Sequence, residues 1–461
     1  MNSKTNPKIV IVGAGIAGLT TAYHLHKCGL DVEVYEARNR VGGRIFTAHI
    51  NDKIVEFGGQ NIHDGGNAEN VHQLINELGL STISRKASLN PIYLEEGSLI
   101  QVNNVLKTFP LQGEELKRKL KHLAATSHTM RDILDKLFDQ TIFRDKILYH
   151  YAESYLAGYC GAMPEHVSTF YVEILFHILT QDICFADQAS LPHTSVKGGN
   201  SRLTQALADT LTNHVHLNRP LRAISRNATG KYKLIFDKEI VLADIVVLTI
   251  PCSVYKDITF EDNIIPHERL TKIKNVHYGT IAKIMVPLTE TLNSSQNIFN
   301  DKFLGLFNVA NDVFVFYYIG DAGYFSETTI VDTYQKSTLF ISQIFGKECM
   351  PYNNVVMASD RLYGAYNKPV GHSWLNDPFA QGSYFYIAPG QEKILTVVED
   401  VNGVLVKSLF APIHHSLYFA GEHCALPEED NGTIQGACNS GIRVVKNILI
   451  SLGLTPIVKA E

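Results

Sequence analysis

The feature that most constrains the chain lies at its start, where Lys8 to Val12 runs directly into Gly13-Ala14-Gly15-Ile16-Ala17-Gly18. A short β-branched run of this kind suits a buried parallel strand, and glycines at this spacing suit a tight turn that opens a helix. The first glycine permits the turn, the second lets backbone approach a pyrophosphate, and the third lets the helix lie close to the sheet, its N-terminus favouring anionic phosphates. After a helix through Leu25, Asp31 to Tyr35 reads as a second strand ending at Glu36, where an acid that accepts ribose hydroxyls is expected. The fingerprint predicts a dinucleotide-binding α/β fold without separating NAD from FAD. A length of 461 residues exceeds what one core usually organises, so two intertwined domains are expected.

Composition narrows the partners. With 46 acidic against 41 basic residues the surface is nearly neutral, and no nucleic-acid partner is expected. The seven cysteines (28, 160, 184, 252, 349, 424 and 438) have neither paired nor metal-ligand spacing, which reads as reduced, buried thiols and no metal site. Ile9 to Leu25 is interrupted by Gly13, Gly15 and Gly18, and no run of eighteen apolar residues occurs. A cytoplasmic protein with no membrane anchor is expected, with homodimerisation left open.

Discrimination between cofactors comes from Arg38-Asn39-Arg40-Val41-Gly42-Gly43-Arg44. An acid, a basic residue and then Val-Gly-Gly-Arg resembles the second FAD fingerprint of the flavin-containing amine oxidases, a pattern shared by monoamine, polyamine and L-amino-acid oxidases, protoporphyrinogen oxidase and phytoene desaturases. The resemblance implies FAD held by Gly13, Gly15, Ala17, Gly18, Glu36, Ala37, Arg38, Gly43 and Arg44, with Arg38 and Arg44 neutralising pyrophosphate charge. It continues in Phe57-Gly58-Gly59-Gln60-Asn61-Ile62-His63, where the family runs backbone beside the flavin ring; Gly59, Gln60 and Asn61 become flavin neighbours. The family commonly has tryptophan at the place of Asn61, so a more polar ring environment is expected. His63 matches a position facing the substrate channel in some polyamine oxidases, the alternative being a hydrogen-bonded wall residue. Ser195 to Ser201 followed by Leu203, Ala206, Leu207 and Leu211 reads as a turn opening a helix, and the resemblance puts the Leu221 backbone at the adenine end. Strands are expected at Val215 to Leu217, Leu221 to Ile224, Lys233 to Phe236, Ala243 to Ile250 and Ser416 to Phe419.

Near the C-terminus, Ala420-Gly421-Glu422-His423 and the helix opened by Gly432-Thr433-Ile434-Gln435-Gly436 complete the likeness. It implies Gly421 and Glu422 at the ribityl and phosphate region, Ile434 at the pyrimidine edge, and a positive helix end that stabilises reduced flavin. Trp374 to Tyr384 resembles the family's Trp-to-Gly-x-Tyr segment, placing Trp374 at the cofactor and Tyr384 as one wall of an aromatic cage, or as ordinary core. Ser383 stands where monoamine oxidases carry a flavin-bonded cysteine, so FAD is expected to be non-covalent; Thr433 stands where they carry the opposing tyrosine. Lys283 matches the lysine that holds a water beside flavin N5, the alternative being a strand residue pointing to solvent. Leu106 to Tyr155 has helical spacing with many charges and predicts several amphipathic helices outside the nucleotide fold.

These readings together predict a discontinuous Rossmann-like FAD domain (1–80, 193–275 and 376–461) with an inserted α+β substrate domain (81–192 and 276–375). The implied activity is hydride transfer from the carbon alpha to an amine onto flavin N5, then reoxidation by oxygen to give hydrogen peroxide and an imine. Primary amines and polyamines are favoured, since Gly65 to Asn70 lacks the carboxylate-binding arginine usual in L-amino-acid oxidases. Two alternatives stand beside it: a protoporphyrinogen-oxidase-like or desaturase-like enzyme, and a non-catalytic FAD-binding interaction protein.

Overall fold

The computed structural model describes residues 6–50, 53–62, 68–85, 91–95, 97–180, 193–261, 264–290, 297–299, 305–310, 312–324, 329–355, 370–427, 429 and 432–455. Lys8–Val12 is the middle strand of a five-stranded parallel sheet, in the order Leu417–Phe419, Ile245–Leu248, Lys8–Val12, Asp31–Tyr35, Val215–His216. Ile9 lies opposite Ile245 on one side and Val32 on the other. Because side chains alternate between faces, Ile9 and Ile11 pack under the helices with Leu19, Ala22, Ile442 and Val445, while Val10 and Val12 pack on the opposite face with Tyr35, Tyr232 and Phe236. Both faces are covered, which is why the run is apolar without interruption. Helices Ile16–Lys27 and Ile434–Ser451 lie against each other on the first face. The second face carries a four-stranded sheet in the order Ile240–Ala243, Tyr232–Phe236, Leu221–Arg226, Thr259–Phe260, antiparallel except for the parallel pairing of its last two strands.

One expected strand is two. Ala243 to Ile250 divides at Asp244, whose backbone N–H donates to Lys8 O at 2.9 Å and whose Oδ2 accepts from Lys8 N at 3.0 Å. The residues before it pair antiparallel with Tyr232–Phe236, and Ile245–Leu248 joins the parallel sheet. A hydrophobic pattern cannot mark a strand that changes sheets mid-run.

A seven-stranded sheet stands beside the nucleotide fold, in the order Gly371–Ser373, Ala282–Pro287, Val313–Tyr318, Gly305–Ala310, Asn297–Phe299, Pro91–Glu95, Ser98–Gln101. Only the contact between Asn297–Phe299 and Pro91–Glu95 is parallel. Helix Ile330–Phe345 covers it, burying Tyr334 and Ile341 among Ile284, Val286, Phe314 and Phe316. The charged tract forms helices Val102–Leu106, Gly113–Ala125, Met130–Leu137 and Phe143–Cys160. Leu116, Leu120 and Leu123 bury one face of the second, and Thr129 with Asp132 forms a capping box at the start of the third.

The six described cysteines are free, and Cys184 lies outside the described residues. Among the described residues no helix is long and apolar enough to cross a membrane, and no group of His, Cys, Asp or Glu is placed to hold a metal ion.

Candidate active site

The glycine loop shows three different environments. Gly13 has a φ of +109°, and a Cβ at Gly18 would lie 2.1 Å from Gly13 O, so the helix start and the strand end touch through bare backbone. At Gly15 a Cβ would meet nothing within 4 Å. The closed sides are therefore the turn and the helix packing, and the open side is the one from which a pyrophosphate can approach. Glu36, buried at the end of its strand, ties the loop in place: Oε2 accepts from Ala14 N at 2.8 Å and Oε1 from Arg38 N at 2.9 Å. Glu36 N also donates to His216 O, and Asn218 N and Arg219 N donate to Arg38 O and Glu36 O, which brings the chain leading to Leu221 alongside this acid. Ala37 is half-buried next to it. Ala17 turns to the other side, its carbonyl 2.6 Å from where a Cβ of Gly441 would be.

Both fingerprint arginines hold carboxylates. Arg38 pairs with Asp377, and Arg44 Nη1 donates to Glu422 Oε1 and to Ser383 O, each at 2.7 Å. Glu422 accepts through its other oxygen from Phe385 N at 3.2 Å. Burial alone would raise the Asp377 carboxyl, but hydrogen bonding from His372 and the charge of Arg38 hold it well below the usual carboxylate range. Asp377 carried no role in the sequence reading, because its partner is remote in sequence. Behind Arg44, Tyr278 stacks under the guanidinium at 5.5 Å, accepts from Cys252 N and meets His423 Nδ1 at 3.2 Å.

The segment Glu56 to Gln60 lies against Ala282–Pro287, next to the edge strand of the seven-stranded sheet. Lys283 is 4% exposed, which decides against the solvent-facing reading. Its Nζ donates to Glu56 O at 3.0 Å and Gly58 O at 2.8 Å, sits 4.8 Å over the Tyr317 ring, and has no carboxylate partner among the described residues. Trp374 is 2% exposed and spends its indole N–H on Phe57 O at 3.0 Å. Gln60 Oε1 accepts from Tyr317 OH at 3.0 Å, and Asn61 is half-buried beside it. Gly43 backs onto Gly15, where its Cβ would lie 3.4 Å from Gly15 Cα.

The C-terminal helix begins against this segment. A Cβ on Gly59 would lie 3.2 Å from Ile434 Cδ1, and Thr433 caps the helix by accepting from Gly436 N at 3.1 Å. Gly421, with φ +143°, packs on the His423 ring and donates its N–H to Ser440 Oγ. Tyr384 lies beside Gly432 and Gly161, its hydroxyl donating to Gly158 O, and burial pushes that phenol well above its ordinary value. Tyr384 and Tyr317 pack against the same small apolar cluster of Ala157, Ile281 and Ile319. His63 lies outside the described residues, as do Gly65 to Asn67.

Tyr317, Asp377 and Tyr278 are additions to the residues read from the sequence. Tyr317 sits in an unbroken apolar and aromatic strand, and nothing local distinguishes it from core.

The parts fit FAD: an open backbone approach at Gly15, a buried acid where the resemblance puts the ribose, a helix N-terminus against Gly59, and the Ser383 hydroxyl buried without a hydrogen-bond partner among the described residues where the resemblance brings the cofactor. Fold and site define an FAD-dependent oxidoreductase. A model of the flavin containing amine oxidoreductases matches residues 16–449, and the chain belongs to that family. Amine oxidase [flavin-containing] B of Mus musculus is 24% identical, the match covering 99% of this chain and 88% of that protein. Lysine-specific histone demethylase 1 homolog 3 of Arabidopsis thaliana is 23% identical over 96% of this chain, which spans 30% of that protein's length. Among solved structures, a putrescine oxidase bound to putrescine superimposes with a TM-score of 0.70 at 19% identity, covering 97% of this chain and 99% of that one. Cyclohexylamine oxidase from Brevibacterium oxydans gives 0.71 at 17% identity, covering 97% and 100%. At these identities the structural likeness concerns the fold.

Proposed function

We propose that the chain oxidises primary amines or polyamines, using residues 1–80, 193–275 and 376–461 to hold FAD non-covalently and 81–192 and 276–375 to receive the amine. The observation that carries this reading is that Tyr317 and Tyr384 pack against one apolar cluster while the Lys283 ammonium sits over the Tyr317 ring and donates to Gly58 O. FAD, held there, would supply the two-electron oxidation of the carbon alpha to nitrogen, with oxygen as terminal acceptor, so that amine and oxygen give imine and hydrogen peroxide. The rings of Tyr317 and Tyr384 with Ile281 and Ile319 provide an apolar surround that favours the neutral amine over the ammonium by desolvation, so no strong protein base is needed. With Thr433 in place of a second cage tyrosine, Tyr317 is the aromatic ring that shares the apolar cluster with Tyr384. Lys283 holds a fixed positive charge beside this pocket, and Arg38, Arg44, Glu36 and Glu422 orient the diphosphate and sugars.

An anaerobic titration of the purified holoenzyme with putrescine, spermidine, benzylamine, cyclohexylamine and L-leucine tests the reading. Loss of the visible flavin absorbance with an amine, and peroxide formation on admitting air, are expected. A yellow protein that no amine bleaches would overturn it in favour of a non-catalytic FAD-binding role.

A further inference from the structure

Between Glu56 and Gln60, five successive backbone carbonyls are each taken by a side chain from elsewhere. Lys283 Nζ donates to Glu56 O and Gly58 O, and Trp374 Nε1 to Phe57 O. Asn200 Nδ2 donates to both Gly59 O and Gln60 O at 3.0 Å. The Asn200 amide cannot be turned round, because Val196 N donates to its Oδ1 at 2.9 Å and so identifies the other atom as the NH2 group. Asn200 is 1% exposed, and its own N–H donates to the buried Glu56 carboxylate at 2.8 Å, so the clamp is anchored at both ends.

The N–H groups of the same stretch divide into two sets. Phe57 N and Gly58 N donate to Phe46 O, Gly59 N to Arg44 O, and Ile62 N to Thr194 O. Gln60 N and Asn61 N have no acceptor among the described residues, although both residues are partly buried. Backbone donors in such a place normally find a partner. The two orphans are adjacent and belong to the two residues that follow Gly59, which touches the start of the C-terminal helix.

We propose that Asn200 is a positioning residue for the flavin: with Lys283 and Trp374 it turns the carbonyls of Glu56 to Gln60 into the protein and leaves the N–H groups of Gln60 and Asn61 as a donor pair for the polar edge of the isoalloxazine. The chemistry matches, since that edge presents the C2 and C4 carbonyl oxygens with N1 and N5 as acceptors, its one donor being N3–H. With each of the five carbonyls bonded inside the protein, none is turned towards those acceptors to repel them. The inference rests on FAD lying beside this segment and not on which amine is oxidised.

The test uses wild-type protein and two variants. Amide hydrogen exchange of the wild type, with and without FAD, should show Gln60 and Asn61 gaining at least roughly tenfold protection on binding, as expected for amides that acquire a hydrogen bond worth about 1.4 kcal/mol. In Asn200→Asp the Oδ1 acceptor for Val196 remains while the donor to both carbonyls is lost; FAD should dissociate roughly tenfold or more faster, and the infrared carbonyl bands of bound flavin should shift towards those of unbonded flavin. Ser201→Ala, which removes the hydroxyl accepting from Thr47 N in the same helix start, should lower thermal stability but leave the flavin bands and release rate at wild-type values. No gain of protection at Gln60 and Asn61 on FAD binding overturns the proposal, and so do Asn200→Asp flavin bands and release rate equal to those of Ser201→Ala. Both results are read without turnover, so a protein that binds FAD and oxidises no amine can still support the proposal, and an active oxidase can still refute it.

Discussion

Replacing Lys283 by methionine separates what its charge does for folding from what it does for the reaction. The Nζ makes two bonds to buried carbonyls, at 3.0 and 2.8 Å, and hydrogen bonds to charged groups contribute about 1.5–3 kcal/mol each. Removing the ammonium also removes its desolvation cost, and methionine keeps the stem and its contact with the Tyr317 ring, so the net loss of stability should be nearer about 2 kcal/mol than the sum. The variant should therefore fold and bind FAD, releasing it faster than the wild type because the Glu56 and Gly58 carbonyls lose their donor. Reduction of oxygen develops negative charge beside the flavin, and losing one preorganised charged donor at such a place typically costs about 10²–10³ in rate, or roughly 3–4 kcal/mol. Stopped-flow measurement of both half-reactions decides the matter: anaerobic reduction by amine should change by less than about threefold, while reoxidation slows about a hundredfold. An unchanged reoxidation rate, or equal slowing of both halves, would refute the assignment and leave Lys283 as a clamp on the Glu56–Gly58 backbone.

Acid precipitation should release intact FAD into the supernatant, because Ser383 provides no thiol for a covalent bond; flavin remaining with the pellet contradicts this. Gly15→Val places a branched side chain in the one open side of the glycine loop and should yield apoprotein, while Glu36→Ala removes acceptors for Ala14 N and Arg38 N and should lower flavin occupancy, measured as the ratio of visible to ultraviolet absorbance. Full occupancy in both variants would contradict the placement of the cofactor. Lys407, 1% exposed and donating to His423 O, has its ammonium pushed by burial from 10.5 to about 8. The unfolded chain then binds more protons than the folded one between those values, so stability relative to Lys407→Met should rise as pH climbs from about 8 to 10.5, by up to roughly 3 kcal/mol. Denaturant midpoints of the two proteins that run parallel across this range would show that burial does not perturb Lys407.

What could be read in the sequence was local. The strand–glycine–helix unit, the acid at position 36 and the helix opening at Thr433 announce themselves within a few residues, because turn sterics and helix capping act at short range. The long charged tract likewise resolved into helices through its own periodicity. Lys283 could not be settled that way: every residue of Ala282–Pro287 is buried, so the alternation that normally tells an inward side chain from an outward one is absent. The partners of the fingerprint arginines, the packing of Tyr317 and Tyr384 on one cluster and the grip of Asn200 on Gly59 and Gln60 all join residues far apart in the chain. No periodicity or spacing encodes such contacts. They arise when two sheets and a C-terminal helix close on one backbone segment, and burial then requires each carbonyl and each charge in it to find a partner.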